Sequence, residues 1–218
     1  MSELAVWWHR EKRFTNFGDE LGPEILKRLG YKIRRVRCDE AELITVGSIL
    51  QVPTRVGHRP GLKIWGSGFI ADNNRPPSGN LEVLALRGRR SAAKMKVNVP
   101  LGDPGLLVSR LWDRSPVKYR VGVVPHYVDK RNYSWADKVI DVRAPVDKVI
   151  ADITSCASIQ SSSLHGLIVA ESFGIPAMRL YHQSVRGYDF KWSDYHSAWG
   201  NGNLETIQNG LLKALEKL

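Results

Sequence analysis

The chain has 218 residues, of which 43% are hydrophobic and 25% are charged, a balance that is typical of folded globular proteins and excludes wholesale disorder. Its 32 lysines and arginines exceed its 22 acidic residues, and the formal charge of +10 favours anionic partners such as phosphorylated metabolites, acidic lipid surfaces or nucleic acid. Length alone leaves open whether the chain forms one large domain or two small ones.

In chain order, short apolar runs that end in glycine, proline or serine alternate with longer segments of helical periodicity, which predicts an α/β fold. Runs that are apolar throughout, such as residues 121–124, indicate strands that are buried on both faces of a parallel sheet. The predicted strands are residues 4–8, 32–36, 43–46, 63–65 and 81–86 in the first half of the chain, and 120–124, 138–142, 158–161 and 177–181 in the second.

Four helices are predicted from the spacing of their apolar residues. Over residues 19–29, Leu21, Ile25, Leu26 and Leu29 fall on one face, and Gly30 ends the helix. The others are residues 146–154, 165–173 and 203–218, and residues 72–80 are predicted to be an exposed loop.

The sequence predicts two small Rossmann-like halves whose parallel sheets face a cleft. The pattern is interrupted at residues 109–118, where charged residues and a proline follow one another. We therefore expect an N-terminal half over residues 1–110 and a C-terminal half over residues 111–218, the latter including the terminal helix 203–218.

Cysteine and histidine usage bears on compartment and metal binding. Cys38 and Cys156 are too few and too far apart for a disulfide framework or a Cys-x-x-Cys metal site, and the histidines have no ligand spacing, so no metal site is expected.

The first residues lack the apolar core of a signal peptide, and no apolar run reaches the roughly 18 residues of a spanning helix. The expected location is the cytoplasm, with any membrane contact peripheral and at the inner face.

Ligands of open parallel sheets bind beyond the carboxyl ends of the strands, so the residues that follow each predicted strand are candidates for a site. In this position Arg87 could hold a carboxylate or a phosphate through two parallel hydrogen bonds. The candidates in the first half are Asn16 and Asp19 after the first strand, Gly66, Ser67 and Gly68 after the fourth, and Arg87 after the fifth.

Each of these candidates also has a purely structural interpretation. Asn16 and Asp19 can cap the helix that follows them, which is the interpretation we favour for these two residues taken alone. The glycines of the Gly66–Gly68 turn can be required for steric reasons, and the basic run that starts at Arg87 can be a solvated face.

In the second half, the segment 161–166 predicts a strand, a turn and an apolar helix, with hydroxyls and backbone amides at a helix N-terminus that attracts anions. His165 lies beside this anion site, where an imidazole can transfer protons, although a buried structural histidine is the alternative. For His126, which follows the strand 120–124, both interpretations stay open. The candidates here are His126, Ser162, Ser163, Leu164 and His165.

Taken in order, these turns resemble the motifs of the polysaccharide pyruvyl transferases. Any one of them could arise by chance, but the ordered set spans nearly the whole chain. The resemblance lies in residues 16–21, 66–68, 86–88, 102–107, 122–129, 161–176 and 190–195.

The resemblance implies a GT-B-like arrangement of the two halves and an activity. Members of the family transfer pyruvate from phosphoenolpyruvate to two hydroxyls of a saccharide, which forms a cyclic ketal in exopolysaccharide or cell-surface glycan biosynthesis. The implied partners are phosphoenolpyruvate as co-substrate and a saccharide acceptor, free or lipid-linked, with no metal, no other cofactor and no nucleic acid.

The resemblance also implies roles for residues. Arg87 and the turn Ser163, Leu164 and His165 would hold phosphoenolpyruvate, and His165 would transfer protons. Ser163 stands where some members have an arginine, so the missing cation is expected from Arg89, Arg186 or Lys191. Facing the same cleft would be Asn16, Asp19 and the turn Gly66, Ser67 and Gly68 on the acceptor side, together with His126, Lys191 and Asp194.

Two other functions compete with pyruvyl transfer. A GT-B-like glycosyltransferase that uses a nucleotide sugar shares the architecture and the crevice. A basic nucleic-acid-binding module agrees with the charge of +10, but the arginines are scattered along the chain and no nucleic-acid-binding motif occurs.

Overall fold

The computed structural model describes residues 3–11, 13–185, 187 and 189–218, with only the backbone of Asn201. These residues form an α/β fold with two sheets. In chain order the elements are β1 (Leu4–Trp7), α1 (Phe17–Arg28), β2 (Ile33–Arg35), β3 (Leu43–Ile44), α2 (Val52–Val56), β4 (Leu62–Trp65), β5 (Leu81–Ala85), α3 (Arg89–Met95), α4 (Val108–Leu111), β6 (Tyr119–Val124), β7 (Lys138–Val139), α5 (Val146–Thr154), β8 (Cys156–Ser161), α6 (Leu164–Ser172), β9 (Ala177–Arg179), α7 (Phe190–His196) and α8 (Leu204–Leu215).

The predicted fold class is confirmed. A strand lies in each of the nine predicted segments, and the four predicted helices are α1, α5, α6 and α8. The helices α2, α3, α4 and α7 were not predicted, because segments of four to seven residues are too short to have a clear apolar face. Short 3₁₀ turns, also not predicted, lie at Cys38–Glu40, Pro104–Leu107 and Ser197–Asn201.

Both sheets are parallel, and their strand orders are of the same kind. The first sheet has the order β2-β1-β3-β4-β5, and the second has the order β7-β6-β8-β9. In each sheet the chain turns to one side after its first strand and then returns past it to the other side. The order therefore reverses between β1 and β3 and between β6 and β8, and such switch points are where doubly wound sheets bind ligands.

One hydrophobic core connects the two sheets. On one face of the first sheet, α1 packs against α5 and α6 of the second half, and Leu21, Ile25, Val149 and Ile168 belong to the same buried cluster. A second cluster, which includes Ile44, Leu62 and Phe69, covers the other face of the first sheet.

The C-terminal helices return to the first sheet. α7 packs against α3, and its Phe190 belongs to the cluster on the far face of that sheet, while α8 packs against β4 and β5. The predicted border between residues 110 and 111 stays a prediction, although all strands of the first sheet precede it and all strands of the second follow it. Within the described parts of the chain, no helix is both long and apolar enough to cross a membrane.

Candidate functional site

A cavity of about 540 Å³ opens where the switch points of the two sheets meet. Its wall consists of the turns that follow β1, β3, β6 and β8, with Ile70 after β4 and further residues before and within α7. The lining residues are His9, Glu11, Asn16, Asp19, Gly47, Ser48, Ile49, Gln51, Val52, Ile70, His126, Tyr127, Val128, Ser163, Leu164, His165, Ser184 and Lys191.

The N-terminus of α6 forms one wall of this cavity. Ser163 is the N-cap residue, but its hydroxyl makes no capping hydrogen bond to the helix. The turn is instead fixed by Ser161, whose Oγ donates to Val124 O at 2.9 Å and accepts from Ser163 N at 3.1 Å. The first N–H groups of α6 therefore have no side-chain cap, and together with the helix dipole they favour an anion in the cavity.

Lys191 of α7 lines the same cavity. Its side chain is 7% exposed, and its ammonium group has no hydrogen bond or ion pair with any residue that the structure describes. Burial, with the charges of Arg87 and Arg179 in addition, lowers the pKa of Lys191 to about 7. Asp19 is the opposite charge that acts on Lys191, but it makes no ion pair with the ammonium group. A buried cation without an ion pair among the described residues is stabilised by an anionic ligand, so Lys191 and the start of α6 form a candidate anion site.

His165, the second residue of α6, lies between α1 and the loop before the Pro104–Leu107 turn. Its ring packs against Gly18, where a methyl group would overlap Nδ1. On the other side, its Nε2 lies 3.7 Å from Oδ2 of Asp103, a carboxylate that is fully buried. His165 thus lines the cavity, with its ring held from both sides.

Asn16 and Asp19 also line the cavity, and the capping interpretation of these residues is wrong. Asn16 is the N-cap of α1 by position, but it makes no side-chain cap; its Nδ2 donates to Asp19 Oδ2 at 2.9 Å. Burial raises the pKa of Asp19, and the nearby His9, Asn16 and His165 oppose this rise. The carboxyl group of Asp19 is therefore suited to accept or donate a proton close to His165.

His126 lines the cavity as a neutral imidazole. Burial, followed by the charge of Lys191, lowers the pKa of His126 to about 4. Its Nδ1 accepts a hydrogen bond from the backbone N–H of Val128 at 3.3 Å, so the proton of the neutral ring lies on Nε2. His126 is thus a hydrogen-bond donor toward the cavity and is not a cation at neutral pH.

Arg87 and Asp194 lie behind the cavity wall, and the expectation that the Arg87 guanidinium points into the crevice does not match the structure. Arg87 is 1% exposed, and its Nε and Nη2 atoms lie 3.1 Å and 2.9 Å from Asp194 Oδ2. Its other donor groups bind Ser48 Oγ at 2.6 Å and Phe69 O at 2.7 Å. Arg87 therefore connects β5 to α7, the helix that carries Lys191.

The Gly66–Gly68 turn and Ser162 likewise support the site without lining it. Methyl groups at Gly66 and Gly68 would overlap Pro104 and the guanidinium of Arg87, and the Ser67 hydroxyl donates to Thr45 O. The glycines therefore allow Pro104 and the Arg87 side chain to pack closely against the turn. The cavity is lined instead by the loop 47–51, which the turn contacts through Gly68.

Ser162 connects two loops of the second half. Its hydroxyl donates to Asp129 Oδ2 at 2.7 Å and accepts from the backbone N–H of His126 at 2.9 Å. It thereby fixes the loop that carries His126. Leu164, the first residue of α6, by contrast lines the cavity.

Of the three cations that could replace the arginine expected at Ser163, Lys191 is the one for which the structure gives a position in the cavity. Arg89 is exposed, and its Nε donates to Ser197 O at 3.0 Å on the outside of α3. Arg186 lies outside the described residues.

Sequence reasoning missed several residues of the site. Ser48 and Gln51 follow β3, and Glu11 follows β1, so the rule that singles out residues after strands would have found them. The signal for Asp103 was weaker. An aspartate before Pro-Gly is a common start of a 3₁₀ turn, and it does not indicate a contact with His165, which is distant in the sequence.

No family model matches the chain. Two curated proteins are similar to it. Uncharacterized protein L143 of Acanthamoeba polyphaga mimivirus is 36% identical over 158 residues, which cover 63% of this chain and 54% of the relative. Succinoglycan biosynthesis protein ExoV of Rhizobium meliloti (strain 1021) is 29% identical over 212 residues, which cover 88% of this chain and 64% of the relative. The chain thus spans less than two thirds of the length of either relative.

Among the described residues, no group of three or more His, Cys, Asp or Glu side chains is arranged to hold a metal ion. The cavity is lined by a lysine, a helix N-terminus, three histidines and two carboxyl groups, together with apolar and hydroxyl side chains.

Proposed function

We propose that the chain is a transferase of exopolysaccharide biosynthesis that moves pyruvate from phosphoenolpyruvate to two hydroxyls of a saccharide. The observation that carries the proposal is the buried Lys191, which has no ion pair or side-chain hydrogen bond among the described residues, in the same cavity as the uncapped N-terminus of α6 and His165. A relative named for succinoglycan biosynthesis supports the exopolysaccharide role, and the order of motifs along the chain supports the pyruvyl chemistry.

Phosphoenolpyruvate has two anionic groups, a phosphate and a carboxylate, and the cavity has two features that suit them. The first-turn N–H groups of α6 donate hydrogen bonds to one anion, and the Ser163 hydroxyl adds a further donor. The Lys191 ammonium group is attracted to the other, and the bound anion stabilises its charged form. His126 donates from Nε2 without adding charge.

The remaining titratable groups suit the proton transfers of ketal formation. Protonation of the methylene carbon makes a cation at the adjacent carbon, and one saccharide hydroxyl adds there as it loses its proton to a base. The second hydroxyl then displaces phosphate, which leaves with that hydroxyl's proton. We assign these transfers to His165 and Asp19, which line the cavity together and have a mutual electrostatic interaction.

Turnover with labelled substrate tests the proposal. The protein is incubated with phosphoenolpyruvate that is ¹³C-labelled at the enol carbon, together with oligosaccharide repeat units of succinoglycan. We expect one inorganic phosphate released for each new quaternary ketal carbon in the ¹³C spectrum, and no release by His165→Gln. Phosphate release without a ketal, or sugar transfer from a uridine-diphosphate sugar to the same acceptor, would contradict the proposal and, in the second case, favour a glycosyltransferase.

A further inference from the structure

Two buried polar atoms that face each other lack hydrogen-bond partners among the described residues. Asp103 Oδ2 and His165 Nε2 are both sealed from solvent, and they lie 3.7 Å apart, slightly beyond hydrogen-bond distance. Buried carboxylate oxygens and ring nitrogens are rarely left unpaired, because desolvation without a partner is costly. The orientation of both groups is fixed by other contacts, so the pair is a built feature of the fold.

Asp103 is held at its backbone and at its other oxygen. It is the N-cap of the Pro104–Leu107 turn, and its Oδ1 accepts a hydrogen bond from Gly105 N at 2.9 Å. Pro104 fits against Gly66, where any side chain would overlap its ring. With Oδ1 engaged by Gly105, Oδ2 is the carboxylate oxygen that lies 3.7 Å from His165 Nε2.

The His165 ring is fixed from the opposite side. Its Nδ1 occupies the space that a methyl group on Gly18, in the first turn of α1 and beside Asp19, would enter. The titratable groups around the ring are thus Asp103 from the Pro104–Leu107 turn, Asp19 from α1 and His126 from the loop after β6. Since Nε2 faces Asp103, Nδ1 is the nitrogen that remains for a ligand.

We infer that Asp103 is a positioning residue that holds His165 in the Nε2–H tautomer and presents the Nδ1 lone pair to the cavity. The role of Nδ1 as a catalytic base rests on the proposed function, whereas the tautomer does not. A carboxylate that accepts from one ring nitrogen makes the other nitrogen the base, and it stabilises the imidazolium that forms when that base takes a proton. A movement of less than 1 Å when substrate binds closes the hydrogen bond, since such contacts tighten from their apo lengths.

The test is ¹⁵N NMR of the histidine rings in the protein without substrate, with the His165 signals assigned by their loss in His165→Gln. At the alkaline plateau of a pH titration, we expect the proton of the wild-type ring on Nε2. In Asp103→Asn the amide keeps the bond to Gly105 N through its oxygen, and its NH₂ group faces Nε2, so we expect the proton to move to Nδ1. A wild-type ring protonated on Nδ1 overturns the inference, and this result needs no variant to fold.

Steady-state kinetics shows whether Asp103 positions His165 for turnover or only stabilises the fold. For Asp103→Asn we expect kcat to fall about 10²- to 10⁴-fold while KM for phosphoenolpyruvate stays within about twofold. Asp147→Asn, a change of the same kind at an exposed carboxylate on α5, is the matched control and keeps its kcat. An unchanged kcat in Asp103→Asn overturns the inference. If phosphoenolpyruvate is not the substrate, wild-type turnover is absent while the NMR result still reports on the pair, so the two failures are distinguishable.

Discussion

The buried amine of Lys191 lines the cavity, and its lowered pKa leads to a prediction about how the free energy of unfolding depends on pH. Below about pH 7 the amine is charged in both the folded and the unfolded state, so the full cost of burying the charge is present. Between about pH 7 and the ordinary lysine pKa near 10, the folded state has lost the proton that the unfolded state keeps, so the cost disappears as the pH rises.

We therefore predict that Lys191→Met raises the free energy of unfolding by about 1–3 kcal/mol at pH 6, with a gain that shrinks toward zero near pH 10. Urea unfolding at several pH values measures this difference. Lys148→Met, on the exposed side of α5, is the control and changes stability little at any pH. A loss of stability in Lys191→Met at pH 6 would contradict the account of Lys191 as a destabilising cation held for its ligand.

Arg87 leads to a prediction that separates support from substrate binding. Removing one partner of a buried ion pair leaves an uncompensated charge, so Arg87→Met is expected to lower the free energy of unfolding by about 3–5 kcal/mol. Arg143→Met breaks the exposed pair with Asp141 and is expected to leave stability nearly unchanged. If Arg87→Met is as stable as the wild type and loses only affinity for phosphoenolpyruvate, the guanidinium is a substrate clamp after all.

At the scale of elements, the close packing of α1 on the start of α6 depends on Gly18. Alanine normally favours a helix over glycine, but here its methyl group would overlap Nδ1 of His165 and displace the ring. We predict that Gly18→Ala lowers turnover about 10²-fold, the effect of a displacement of about 1 Å at a reacting group.

The control for Gly18→Ala is Gly210→Ala in α8, where the nearest atom to an added methyl group is Pro100 Cβ at 3.6 Å. Steady-state turnover of both variants, with circular dichroism to check folding, measures the effect. Equal activities for the two alanine variants would show that the His165 ring does not need its contact with Gly18.

The elements also show what a sequence can and cannot predict. The nine strands lie in the segments that the sequence predicts, and the turns that bring Asp19, His126 and His165 to one cavity were predictable from the strands that precede them. The fate of Arg87 was not predictable, because its partner Asp194 is 107 residues away on a helix too short to leave a periodic signal. Such tertiary contacts decide whether a candidate side chain lines the cavity or supports its wall.

At the scale of the whole molecule, two sheets with the same kind of strand order bring their switch points to one cavity, and the net charge of +10 favours an anionic ligand there. Neither feature selects phosphoenolpyruvate over a nucleotide sugar. The cavity selects between these two ligands by the size and charge of the groups that it stabilises. A binding measurement with each ligand reports this selection directly.

The most direct test of the account is thermal unfolding with millimolar phosphoenolpyruvate, compared with pyruvate, inorganic phosphate and uridine diphosphate. A ligand that binds only the folded state must raise Tm. We predict that phosphoenolpyruvate raises Tm in the wild type and in Lys148→Gln but not in Lys191→Gln, and that pyruvate and uridine diphosphate leave it unchanged. A rise with uridine diphosphate alone, or an equal rise with phosphoenolpyruvate in Lys191→Gln, would contradict the account.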